Sequence, residues 1–248
     1  MTTIDPADPL AVAVVEAIHT GDQERLARVL ATHPGLATAR LGDDRPGGMT
    51  RTLLHVATDW PGHFPNGPAT VALLVEAGAE VNAGFGGGSH DETPLHWAAS
   101  SDDVEVLDAL VDLGADIEAP GAVIAGGTPL SDARAFGQWR AAHRLVERGA
   151  RTTIDDAATL GLQDRLESYF AGTVPAPEEV SRAFWGACHG GQRRCAEYLL
   201  EHGADPNWVP PWEPLTPLDA AARSGADELV GWLRTQGARP ASGQRPPG

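Results

Sequence analysis

The sequence predicts an all-α solenoid of stacked helix pairs, because two short phrases return along the chain at a nearly constant spacing. The phrase Thr93-Pro94-Leu95-His96-Trp97-Ala98-Ala99 recurs at 128–130 and 216–218 and, with changes, at 52–57. A Gly-Ala pair follows each Leu- and Val-rich stretch, at 78–79, 114–115, 149–150, 203–204 and 237–238. A period of roughly 33 residues is typical of repeat proteins, in which one helix pair cannot bury its apolar face alone. We therefore expect any functional surface to be built by several repeats.

Each repeat predicts a short helix, a tight turn, a longer helix and a loop. Thr93 caps the short helix, and Pro94 stands in the first turn, where its missing N–H costs nothing. The longer helix is predicted from about Asp103 to Leu113, and Gly114 ends it in a left-handed cap. The same scheme predicts seven units in a single array over 1–239, at about 8–40, 50–83, 92–119, 126–151, 152–172, 180–207 and 214–239. The small residue between packed helices is Ala17, Ala57, Ala98, Ala133, Ala157, Ala187 or Ala220 in turn.

This pattern resembles the ankyrin repeat family over nearly the whole chain. The resemblance implies antiparallel helix pairs in a curved array, with loops projecting as fingers beside a concave groove. It also implies that binding uses the finger tips and the exposed residues of the short inner helices. At the His position of the phrase, it implies a structural role for His55 and His96, in which the ring hydrogen-bonds neighbouring backbone. Ser131, Asp155, Trp185 and Asp219 take the equivalent place in other units.

The departures from the pattern give one array an individual shape. The second unit carries an insertion at 61–67, the loop at 84–92 is long and Gly-rich, and the loop after Arg151 is almost missing. A segment at 172–179 containing Pro175 and Pro177 leads to the sixth unit, and 240–248 is predicted to be a disordered tail.

Composition restricts the classes of partner. The chain has 34 Asp and Glu residues against 18 Arg and no Lys, for a net charge of −16, and such a field repels nucleic acid.

No apolar run approaches the roughly 18 to 20 residues of a membrane span. The first ten residues contain Asp5 and Asp8 and no basic side chain, unlike a secretory signal. Cys188 and Cys195 are expected to be reduced and buried on two antiparallel helices, which fits a cytoplasmic location. The composition favours a GC-rich bacterial source, and polar residues at both ends of the array favour a monomer.

Aromatic residues indicate where a partner binds. Seven Trp residues are many for 248 residues, and several aromatic rings fall on fingers, on the insertion or at inner-helix ends, where exposed rings are typical of interaction hot spots. The alternative is that these rings fill space left by the irregular loops. The predicted binding residues are Trp60, Phe64, Phe85, His90, Trp97, Asp132, Phe136, Trp185, Trp208 and Trp212.

We therefore expect a recognition module that grips a protein segment or peptide. Apolar anchors supply affinity, and carboxylates select a basic partner; these are Asp59, Asp91, Glu92, Asp132 and Asp156. No cofactor is predicted.

The competing hypothesis is a small-molecule binder or unusual enzyme with a pocket between the irregular loops and inner helices. Close carboxylates form acid–base pairs, so its candidates are Asp155, Asp156, His96 and His90, with Asp132 near them. The bland alternative is that Asp155 and Asp156 stabilise the first turn of a helix. His63, His90 and His96 are the only metal candidates, and no pair has the spacing of a helical metal site, so no metal is predicted.

Overall fold

The structure, a computed structural model, describes residues 2–43, 45, 48–172 and 174–241 and contains fourteen α-helices within these ranges. Two compact units meet in sequence between Arg151 and Thr152. The first unit contains α1 (Pro9–Thr20), α2 (Gln23–Thr32), α3 (Leu53–Thr58), α4 (Gly67–Glu76), α5 (Pro94–Ser100), α6 (Val104–Asp112), α7 (Pro129–Ala135) and α8 (Trp139–Glu147). The second contains α9 (Ile154–Thr159), α10 (Gln163–Ala171), α11 (Pro177–His189), α12 (Arg193–Glu201), α13 (Pro217–Arg223) and α14 (Asp227–Thr235).

Consecutive helices pack as pairs, and the first helix of each pair, here called the inner helix, also packs on its neighbours within the same unit. The prediction of an all-α solenoid of stacked helix pairs is confirmed. All seven Ala residues predicted between packed helices are buried. The single array over 1–239 stays a prediction. Of the tail predicted over 240–248, residues 242–248 lie outside the described residues, and the backbone N–H of Ala241 donates to Asp219 at 2.8 Å.

Most inner helices begin at a Thr, as the repeated phrase predicts. Thr93 caps α5 in a reciprocal arrangement with His96, and Thr52, Thr128, Thr153 and Thr216 do the same for α3, α7, α9 and α13. The Thr side chain accepts a hydrogen bond from a backbone N–H in the first helical turn, and the side chain of the third helical residue accepts one from the backbone N–H of the Thr. The phrase therefore sets where five of the seven inner helices start.

Five of the seven longer helices in the described ranges (α4, α6, α8, α12 and α14) are followed by a Gly residue in the left-handed conformation. Gly114 has φ +95°, and the N–H of Ala115 reaches back to the Leu110 carbonyl at 2.9 Å. This closes the end of α6 as predicted, because a residue without Cβ adopts positive φ without strain.

A small sheet, which no pattern in the sequence predicted, joins the loops of the first unit. Strand β1 (Thr3–Ile4) pairs in parallel with β2 (Arg40–Gly42), which pairs antiparallel with β3 (Thr50–Thr52). The Arg40 guanidinium donates to Thr50 Oγ1 at 2.8 Å and to the Gly84 carbonyl at 2.6 Å. These bonds hold the loop before α3 against the loop before α5.

The predicted insertion is anchored on both sides. The N–H of His63 donates to Asp103 at 2.7 Å, and the His63 ring contacts the Ser101 carbonyl at 3.0 Å, both at the α5–α6 turn. On the other side, Asn66 donates to the Gly21 carbonyl at 2.9 Å, next to the α1–α2 turn. The insertion is therefore an ordered bridge between two helix turns.

No helix in the described ranges is long and apolar enough to cross a bilayer.

Candidate functional site

The buried His residues of the repeated phrase connect one helix pair to the next. The His55 Nε2 lies 2.9 Å from the Glu92 carbonyl, and the His96 Nε2 lies 3.4 Å from the Gly127 carbonyl. Because a carbonyl only accepts, each Nε2 carries the ring proton, and Nδ1 of His96 accepts the N–H of Thr93 at 3.0 Å. Burial lowers the pKa of both imidazoles to about 4, so they are neutral at neutral pH. Both nitrogens of His96 are thus engaged in backbone contacts, which favours the structural role.

Trp185 makes the equivalent connection in the second unit. Its Nε1–H donates to the Leu215 carbonyl at 2.9 Å, and Leu215 directly precedes the cap Thr216, just as Glu92 precedes Thr93. The indole is only 6% exposed. A Trp cannot accept a hydrogen bond in place of His, but the bond that crosses to the next helix pair needs a donor, and the indole supplies it.

The carboxylate at the His position of α9 is Asp156, which corrects the assignment to Asp155. The N–H and hydroxyl of Thr153 donate to Asp156 at 2.8 and 2.7 Å. Thr153 sets the register one residue later than the alignment of Ala157 implied. Asp155 lies beside it in the first turn and pairs with Arg182 at 2.8 Å. An acid–base role for Asp155 and Asp156 stays a prediction. Asp132, the third carboxylate of that hypothesis, lies in the first compact unit, whereas Asp155 and Asp156 lie in the second.

Three of the predicted binding rings in the first unit are half-buried against other rings. The ring centres of Phe85 and Trp97 lie 5.6 Å apart, and Trp97 meets His55 edge-on with ring centres 4.9 Å apart. Phe64, on the insertion, stacks on His19 at 4.3 Å. These contacts favour the alternative in which aromatic rings fill space between the irregular loops.

Two other predicted rings of the first unit are exposed, at the opposite ends of the inner helices from the fingers. Trp60 follows the end of α3 and is 79% exposed. Phe136 follows the end of α7 and is also exposed. Phe85 and His90 precede α5 instead, so the predicted binding residues of this unit do not form one continuous patch.

The second unit brings three predicted Trp residues together. The loop at 205–215, here called the tryptophan finger, carries Trp208 and Trp212 with ring centres 5.8 Å apart. Trp212 meets Trp185 edge-on at 6.0 Å, and the Arg223 guanidinium lies 5.9 Å from the Trp185 ring centre. Arg223 also pairs with Glu213 at 2.7 Å. Trp212 is nevertheless 57% exposed, so a supported ring faces solvent.

The five predicted partner-selecting carboxylates have different surroundings. Asp59 pairs with Arg51 across α3, and Asp132 and Asp156 are buried. Asp91 is exposed and Glu92 is partly buried, both on the loop before α5.

The charges of Glu92 and Asp132 interact, which sequence reasoning missed. Burial is the largest cause that raises the pKa of Asp132, to about 7, and the negative charge of Glu92 is the second. The Ile124 N–H, which donates to Asp132 Oδ1 at 3.4 Å, opposes this rise. Burial also raises the pKa of Glu92, and the Trp97 side chain opposes this rise. The repeat register was the available signal, since Glu92 directly precedes one cap Thr and Asp132 lies four residues after the next.

The three His residues considered as metal candidates have different surroundings. His63 contacts the α5–α6 turn, His96 is buried, and His90 is partly exposed on the loop before α5. Across the ranges that the structure describes, no three His, Cys, Asp or Glu side chains are grouped to hold a metal ion.

Comparison with known proteins identifies the repeats. The ankyrin repeat family model matches residues 90–122 and 183–209, one match in each unit. The chain is 31% identical over 182 residues to an ankyrin repeat and KH domain-containing protein of Caenorhabditis briggsae, which covers 69% of this chain and 7% of that protein. It is 52% identical over 48 residues to a palmitoyltransferase of Kluyveromyces lactis, covering 19% of this chain and 6% of that protein.

A similar solved structure is that of the human ASB11 ankyrin repeat domain, at 28% identity and a TM-score of 0.45, covering 76% of this chain and 85% of that one. The chain spans less than a tenth of the curated relatives described above. The repeated phrase, its Thr caps and the family matches in both units show that this chain is an ankyrin repeat protein.

Proposed function

We propose that this protein recognises a protein segment with an apolar anchor and basic flanks, and that the tryptophan finger is the main contact. Ankyrin repeats in general mediate protein–protein interaction. The observation that carries the proposal is the exposed indole of Trp212, held in place by Trp185 and Trp208.

The support beneath Trp212 makes it a good anchor. More than half of the Trp212 surface is exposed, which leaves a large apolar area in water, and burying that area against a partner is favourable. Because neighbouring rings already restrict the indole, little side-chain entropy remains to be lost on binding.

Charge defines the flanks of the partner segment. The net charge of −16 attracts basic chains over a distance set by ionic strength. Arg223 near the finger is neutralised by Glu213, so it does not oppose a basic segment. We expect Arg or Lys beside the apolar anchor, and binding that weakens as salt increases.

A displayed library of random peptides tests the proposal directly. Wild-type protein should enrich peptides with an aromatic or aliphatic residue flanked by Arg or Lys. Trp212→Ala should lower the affinity for the enriched peptides by at least about 30-fold, or about 2 kcal/mol of binding free energy. Trp60→Ala is the matched comparison: it removes an exposed indole just before the insertion of the first unit and should weaken binding of the same peptides less.

Two outcomes would contradict the proposal. One is that the library yields no enriched sequence class. The other is that Trp60→Ala and Trp212→Ala weaken binding equally, which indicates adhesion to any exposed indole. The acidic groove and the contributions of Phe64, Phe85 and Phe136 stay predictions that the same peptides can test.

A further inference from the structure

The tryptophan finger presents side chains to a partner and little free backbone. Four of its eleven residues lack a backbone N–H because they are Pro, namely Pro206, Pro210, Pro211 and Pro214. Four other N–H groups already donate within the second unit, those of Asp205, Asn207, Trp208 and Leu215. Adding a strand to a sheet edge needs a regular row of N–H and C=O groups, so the finger cannot bind an extended segment in that way.

The indole rings are therefore the main contact surface of the finger, and aromatic surfaces bind proline-rich segments through their side chains. We propose that the partner of the tryptophan finger is a proline-rich segment that docks as a polyproline II helix, with an Arg or Lys beside the prolines. This inference rests on the proposed function and specifies the chemistry of the apolar anchor.

The inclination of two rings in the finger suits a polyproline II helix. The planes of Trp208 and Trp212 are inclined by 64°, and their ring centres lie 5.8 Å apart. A polyproline II helix has three residues per turn and a rise of about 3.1 Å, so its side chains form three faces that meet at about 60°. Residues two positions apart lie on adjacent faces, about 6.2 Å apart along the axis. Each indole can therefore receive one proline ring.

The hydrogen-bonding groups of the finger also match such a segment. The carbonyl groups of a polyproline II helix make no internal hydrogen bonds, and its prolines have no N–H, so the segment needs donors from its partner. An indole only donates. The Trp185 N–H is used by the Leu215 carbonyl, whereas within the described ranges no hydrogen bond engages the indole N–H of Trp208 or Trp212. Two donors are thus left for carbonyl groups of the segment.

The finger is held at both ends by α11. The N–H of Asp205 donates to the Ser181 hydroxyl at 3.0 Å, and the Leu215 carbonyl accepts the Trp185 indole N–H at 2.9 Å. A loop fastened in this way loses little conformational freedom when a partner binds. A polyproline II segment is likewise preformed, so the entropic cost of binding is small on both sides.

Carboxylates of the finger favour a basic residue beside the prolines. The finger contains Asp205 and Glu213 and no basic side chain. Glu213 accepts both terminal nitrogens of Arg223, at 2.7 and 3.2 Å, and is thereby neutralised. Asp205 is exposed, so it and the net charge of −16 attract Arg or Lys.

Fluorescence anisotropy with two labelled peptides tests this inference. Both peptides have about nine residues and the same charge: one repeats Arg-Pro-Pro, and the other repeats Arg-Leu-Ala, which keeps an apolar anchor and basic flanks without the polyproline II preference. Wild-type protein should bind the proline peptide at least about tenfold more tightly than the leucine peptide.

Three variants locate the preference for proline. Trp212→Ala and Trp208→Ala should each abolish it, whereas Trp60→Ala, which removes an exposed indole from the first unit, should retain it. Trp212→Phe keeps a ring and removes the donor, so it should lower the affinity for the proline peptide by about fivefold or more.

The outcomes separate this inference from the proposed function. If both peptides bind equally well and Trp212→Ala weakens both, the proposed function stands and the preference for proline is refuted. If neither peptide binds while the displayed library enriches another sequence class, the preference for proline alone is again refuted. If neither peptide binds and the library enriches nothing, both proposals fall.

Discussion

Replacing Trp185 by Phe tests whether the indole connects two helix pairs in the manner of the motif His. The substitution keeps a ring in the core but removes the N–H that donates to Leu215 at 2.9 Å. Loss of one hydrogen bond costs about 1 kcal/mol. Because Trp185 is only 6% exposed, the smaller ring also loses about 40 Å² of buried area, or about 1 kcal/mol at 25 cal/mol per Å². We expect the free energy of unfolding to fall by about 2 kcal/mol.

Urea denaturation followed by far-ultraviolet circular dichroism measures this loss without relying on the Trp fluorescence that the mutation changes. The melting temperature should fall by about 4–8 °C. Trp232→Phe is the matched control: it removes the same atoms from a half-buried indole on α14, beside Arg193. The reasoning is refuted if Trp185→Phe costs no more than Trp232→Phe.

Two further predictions concern buried titratable groups. The pKa of His96 is lowered to about 4, so its contribution to stability is complete above about pH 6.5 and is lost as pH falls toward 4, by about 1.4 kcal/mol per pH unit. His96→Gln should therefore reduce the dependence of the free energy of unfolding on pH, measured from urea midpoints. An unchanged dependence would contradict this prediction. Cys188 on α11 and Cys195 on α12 are buried free thiols whose pKa burial raises, so a thiol reagent at neutral pH should label them only after denaturation; rapid labelling of the native protein would count against this packing.

The sequence predicted the fold well because the repeat fixes local structure directly. A Thr at the start of the inner helix, a Pro in its first turn and a Gly after the longer helix each act within a few residues. Cys188 and Cys195 are buried on consecutive helices, as the sequence predicted. The small sheet was missed because its strands are two or three residues long and are held by pairing between distant loops.

The candidate site was harder to predict, because exposure depends on neighbours that are remote in sequence. Phe64 and Trp212 were both expected to contact a partner, yet Phe64 stacks on His19 while Trp212 is mostly exposed. Nothing in the residues adjacent to either ring distinguishes these two outcomes.

By itself, the sequence determined the repeat, the Thr caps of most inner helices and the acidic field, since these follow from local propensity and composition. Tertiary structure decided which aromatic rings stay exposed and which polar groups meet. It joined the His55 ring to the Glu92 carbonyl, thirty-seven positions ahead, and gave Trp185 a carbonyl partner thirty positions ahead. Burial and the pairing of polar groups are properties of surfaces formed by several repeats, so they exist only once those repeats are packed.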